Sequence, residues 1–168
     1  MYNNLKKVFT LVMSLTAFGL FNTASADWLI DSDGGISAGD AQDVVVSLKS
    51  NPMANPEAAC LAVTFARSLS GSANVTLFVT LDGVTIADDK VASSRRFKCD
   101  TPWGEISLIE NLEVFLDDNP NNLVVCPICW NSRYDELPDY GVLPGTSVGV
   151  PAEAIGKMML DADKILDF

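Results

Sequence analysis

The chain is predicted to fold as an α/β domain, with a mainly parallel sheet covered by helices on both faces. Three observations carry this. Short Val-rich runs such as Val44-Val45-Val46 and Leu123-Val124-Val125 read as strands buried on both sides. Segments with apolar residues at helical spacing lie between such runs. Turn residues stand where one pattern gives way to the next, as at Asp82-Gly83 and Asn119-Pro120-Asn121-Asn122. Strands that alternate with helices in this way imply parallel pairing.

The elements follow in order. Val44 to Leu48 reads as a buried strand, and Asn51 to Pro56 as a turn-rich loop. Asn55 suits an N-cap and Pro56 the first helical position. Glu57 to Leu69 then has a helical apolar pattern through Ala58, Leu61, Ala62, Phe65 and Leu69, and Gly71 is placed to end it. Val75 to Leu81 is rich in β-branched and aromatic residues, which predicts a second strand closed by Asp82-Gly83. Val84 to Thr101 is mixed in character. Its basic cluster Arg95, Arg96 and Lys98 reads as a solvated face. Glu105 to Asp118 predicts an amphipathic helix with Ile106, Ile109, Leu112 and Leu116 on its apolar side. Leu123 to Val125 is a third strand. A helical turn or short helix is expected over Asn131 to Leu137, before Pro138. A short strand around Thr146 to Val148, a helix over Pro151 to Leu160 and a last strand over Lys164 to Phe168 complete the pattern.

Residues 1–26 read as a secretory signal peptide. Lys6 and Lys7 form its positive start, Val8 to Phe21 its apolar stretch, and Ala24-Ser25-Ala26 its cleavage site. Residues 27–41 form an irregular leader. Asp31, Asp33 and Asp40 with Gly34-Gly35 faintly suggest a calcium loop, but no bidentate Glu stands at the required spacing. The domain itself is expected over residues 42–168. No later run is long and apolar enough to span a bilayer, so the expected product is soluble, exported and periplasmic. All 22 acids lie after Ala26, whereas two of the 11 bases lie before it, which leaves nine bases against 22 acids and a net charge of −13. Such a charge opposes binding to nucleic acid or to an anionic membrane surface.

The chemistry concentrates at Cys126-Pro127-Ile128-Cys129, directly after the third strand. In open α/β sheets, ligands and reactions gather at the carboxyl ends of strands. The chain has no histidine, which removes Ser-His-Asp and Cys-His pairs, and it has no phosphate-binding glycine motif. Pro127 suits a first helical turn, and a helix starting there would put unpaired backbone N–H groups beside Cys126, where they favour a thiolate. If this turn is helical, Cys129, three residues on, falls on the same face, within reach for attack on Cys126 or for disulfide formation. A thioredoxin-like reading fits poorly, since Trp130 follows the pair and the motif comes late. A metal reading has two ligands from one C-x-x-C and needs Cys60 and Cys99 to join them. An inert local disulfide between Cys126 and Cys129 is the structural alternative. Cys60, in an apolar helix, reads as a small buried hydrophobe. Cys99 remains open between a resolving thiol, a disulfide partner and no role. Asp135, Glu136 and Asp139 read as solvated surface.

Three stretches share a further pattern. The first runs from Ala58-Ala59-Cys60-Leu61-Ala62 through Val75-Thr76-Leu77-Phe78 to Leu81-Asp82-Gly83-Val84. The second is Val124 to Cys129. The third is Leu143-Pro144-Gly145 with Ala154-Ile155, Met159-Leu160 and Ala162 to Leu166. In order and spacing the chain resembles the DsrE/DsrF-like sulfur-relay family, as an exported member. The resemblance implies a three-layer α/β/α sandwich with a flavodoxin-like sheet, and homo- or hetero-oligomers. It also implies a cysteine after a central strand that carries sulfur as a persulfide. Cys126 matches that position, and Cys129 supplies a second thiol. The function expected is that of a periplasmic sulfur carrier, with Cys126 accepting sulfur and Cys129 resolving or modulating it. Its partners would be sulfur donor and acceptor proteins or small sulfur species. Neither an organic cofactor nor a metal is expected. The alternatives are a thiol-disulfide oxidoreductase and a non-catalytic oligomeric binding subunit.

Overall fold

A computed structural model describes residues 41–90, 97–134 and 141–168. The expected signal peptide and nearly all of the expected leader, together with Arg95, Arg96, Asp135, Glu136 and Asp139, lie outside the described residues. The strands are β1 (Gln42–Leu48), β2 (Ala73–Val79), β3 (Lys98–Thr101), β4 (Gly104–Ser107), β5 (Leu123–Val125), β6 (Thr146–Ser147) and β7 (Lys164–Asp167). The α-helices are α1 (Pro56–Leu69), α2 (Leu108–Asp118), α3 (Pro127–Tyr134) and α4 (Ala152–Asp161). A 3-10 helix, η1, covers Leu81–Ala87.

Five strands form one parallel sheet in the order β6-β5-β2-β1-β7. The connections from β1 to β2, β5 and β6 all step in one direction, and the last returns across the sheet to the far side of β1. Right-handed crossovers therefore put α1, α2 and α3 on one face and α4 on the other. The packing agrees. Val44, Val46, Leu48, Leu77, Val79, Leu123 and Val125 join Ala62, Val63, Leu112, Phe115 and Trp130 in one core. The alternate residues Val45, Phe78 and Val124 meet Ile155, Met158 and Met159 of α4. This is the expected α/β/α sandwich, with unequal layers. No residue of α4 is fully buried, and Leu160 is 87% exposed. Among the described residues, no helix is long and apolar enough to cross a membrane.

Local chemistry explains the helix starts. The Asn55 side chain accepts the Ala58 N–H, and Pro56 takes the first turn, as expected. Ser107 and Glu110 form a reciprocal capping box at α2. Where α1 meets α2, the buried Asn111 donates to Thr64 Oγ1 at 3.0 Å and accepts from Arg67 at 3.2 Å.

Several expectations are corrected. The buried face of α1 is Ala59, Ala62, Val63, Ala66 and Leu69, and Leu61 is exposed. Small side chains win that face because the helix packs closely on β1 and β2. The helix ends at Ser70, in ordinary helical conformation, with its hydroxyl donating to the Ala66 carbonyl. Gly71 is not a left-handed cap. The second strand stops at Val79, and Asp82-Gly83 lies inside η1. Glu105 and Ile106 belong to β4 of an antiparallel β3–β4 hairpin, so the helix starts at Leu108. The signal Ser107-x-x-Glu110 marks that start in the sequence.

Candidate functional site

Three features of the chain place Cys126. All of β5 is buried, and it pairs with β2 in register Phe78↔Val124 and Val79↔Val125. The Cys126 N–H extends this ladder by one bond, to the Val79 carbonyl at 2.9 Å. Pro127 then starts α3, and the Cys126 carbonyl accepts the Trp130 N–H at 2.9 Å. Cys126 is thus the N-cap of α3. Its sulfur takes the place of the usual capping oxygen and accepts the Cys129 N–H at 3.5 Å. Trp130, fully buried and in tilted ring contact with Tyr134, pins the helix to the core.

Both expected site thiols are free, half-buried and side by side. Beside them the end of β2 supplies Thr80, whose hydroxyl lies 3.3 Å from the Cys129 sulfur. Leu81 follows with φ +50°, a left-handed conformation that costs energy for a side chain with a Cβ. Its backbone N–H interacts with the Cys129 sulfur. Gly83 lets η1 lie against the end of β1, since a Cβ there would meet the Leu48 carbonyl oxygen at 2.2 Å. Arg133, one turn beyond Cys129, pairs with Asp82 and ties α3 to η1.

The two thiols have different electrostatics. Burial pushes the Cys126 thiol up, and it donates to Cys129, which adds to the rise. Burial also acts to raise Cys129, but donors from Cys126, Thr80 and the Leu81 backbone outweigh it and hold the thiol below its ordinary range. These hydrogen bonds favour ionisation at Cys129 over Cys126. Leu81, Asp82, Cys129, Ser132 and Arg133 line an open cleft of about 610 Å³. A thiolate at such a mouth can attack sulfur or carbon electrophiles.

Cys60 and Cys99 form a disulfide with Cα atoms 5.3 Å apart, joining α1 to β3. This corrects the reading of Cys60 as a simple buried hydrophobe, and it takes both residues out of any four-cysteine metal set. Among the described residues, no group of three or more His, Cys, Asp or Glu side chains is placed to hold a metal. Lys98 of the basic cluster pairs with Glu105 across the hairpin. The residues that sequence reasoning missed are Thr80, Leu81 and Arg133. Sequence reasoning placed Thr80 inside a strand running to Leu81, and only the end of β2 at Val79 puts it at a carboxyl end.

No family model and no curated protein matches this chain. Among solved structures it is similar to the ychN protein from E. coli, with a TM-score of 0.49 and 21% identity over 76% of this chain and 99% of that one.

Proposed function

We propose that the protein is an exported, periplasmic sulfur carrier of the DsrE-like kind, which takes up sulfane sulfur as a persulfide on the Cys126-Pro127-Ile128-Cys129 motif. One observation carries the reading: two free thiols stand together at the carboxyl ends of parallel strands, with Cys129 lining an open cleft, while the other two cysteines are closed in a disulfide. A persulfide carrier needs one stabilised thiolate open to a donor and then to an acceptor. Intact mass after exposure to polysulfide tests this. The expected result is reductant-sensitive addition of whole sulfur atoms, absent from Cys126→Ser/Cys129→Ser. No addition to the wild-type protein refutes sulfur carriage.

A second reading is thiol-disulfide exchange. The hydrogen bond between the two thiols favours it, since closure needs little movement. It predicts a loss of two hydrogens on oxidation and reduction of a disulfide substrate.

A further inference from the structure

We infer that Cys129, rather than Cys126, is the thiol that attacks the sulfur donor. The inference rests on the sulfur-carriage reading above. The resemblance places sulfur on the residue directly after the strand, which is Cys126. The geometry divides the work differently.

Three points separate the two residues. Cys129 lines the cleft with Leu81, Asp82, Ser132 and Arg133, whereas Cys126 does not. Cys126 packs against both hydrophobic clusters of the sheet, whereas Cys129 packs against one. The Cys129 sulfur also has the Thr80 hydroxyl at 3.3 Å and the Leu81 N–H beside it, and the Leu81 N–H serves Cys129 alone of the two thiols. Leu81 is one of two non-glycine residues with positive φ among the described residues, the other being Asn121 in a turn. Backbone strain held beside a reactive group is a feature of working sites. Here it accompanies an N–H that serves Cys129.

The step balances without an added oxidant or reductant. The Cys129 thiolate attacks a sulfane sulfur of a polysulfide dianion. One donor S–S bond breaks as the new Cys129 S–S bond forms. The electron pair leaves on a polysulfide dianion one sulfur shorter. The product is a Cys129 persulfide anion.

Two readouts on the full chain test the assignment. Limiting iodoacetamide near neutral pH, followed by peptide mass mapping, should label Cys129 several-fold ahead of Cys126. With polysulfide, Cys126→Ser should still gain sulfur and Cys129→Ser should not. Labelling of Cys126 first, or sulfur gained by Cys129→Ser and lost by Cys126→Ser, overturns the inference. If the wild type gains no sulfur yet labels first at Cys129, sulfur carriage fails and Cys129 stands as the attacking thiol. Labelling uses the unaltered protein, so it decides even where a variant does not fold.

Discussion

Removing the Cys60–Cys99 bond by Cys60→Ala/Cys99→Ala should cost most of the loop-closure entropy that the bond takes from the unfolded chain. The bonded residues are 39 apart in sequence. Closing a loop of that length removes roughly 13 cal/mol/K from the unfolded ensemble, or about 4 kcal/mol at 25 °C. Alanine is the right replacement, because Cys99 is only 1% exposed and a serine would bury an extra hydroxyl. Guanidinium unfolding followed by the fluorescence of the buried Trp130 measures the change. The expected result is a loss of about 2–5 kcal/mol with a steeper denaturant dependence, since the unfolded chain expands once the loop opens. A Cys126→Ala/Cys129→Ala protein offers an independent arm. Reductant there acts only on Cys60–Cys99 and should produce the same loss. A change under about 1 kcal/mol with unchanged slope in both arms would refute the loop-closure reasoning.

Thr80→Val removes a donor from the Cys129 sulfur, so the thiolate loses support and the Cys129 thiol should titrate higher. Alkylation should slow at neutral pH and recover once the pH is high enough to ionise both thiols; a flat pH profile would contradict this. Gly83→Ala drives a Cβ into the Leu48 carbonyl oxygen at 2.2 Å, with an expected cost of about 1–3 kcal/mol and reduced Cys129 labelling as η1 shifts. Gly71→Ala meets nothing within 4 Å and serves as its neutral control in the same denaturation assay. The hydrogen bond from Lys49 holds the Asp167 carboxyl below its ordinary value. The stabilisation this gives to β7 pairing is present above the unfolded carboxylate value and is lost as pH falls through the folded one. It is small, because both side chains are largely exposed. Titration of Asp167 by NMR should show its pKa rising in Lys49→Ala.

Much of the architecture was legible because its signals are local. The Val-rich runs became β1 and β5, and Asn55-Pro56 became the start of α1. The helical apolar pattern correctly located α1 but misjudged its face. Leu61 is large and apolar, yet the tight approach of the helix to the sheet selects Ala59, Ala62 and Ala66. Glu105 and Ile106 fit a helical period as well as a strand. Pairing with Asp100 and Cys99 in the hairpin decides between them. Short segments with either periodicity are settled by the partner they meet.

The site divides in the same way. The sequence alone determined that two thiols three residues apart follow a buried strand, with Pro127 suited to a first helical turn; the helix itself, expected over Asn131 to Leu137, starts at Pro127. Only the tertiary structure decided which sulfur is supported as a thiolate. The hydroxyl that bonds Cys129 comes from Thr80, 49 residues away, and it arrives because β2 and β5 pair side by side. The same holds for Cys60 and Cys99, brought together by the packing of α1 near β3. A hydrogen bond or disulfide between distant residues depends on which elements the crossovers make neighbours, and residue spacing within one segment carries no record of that.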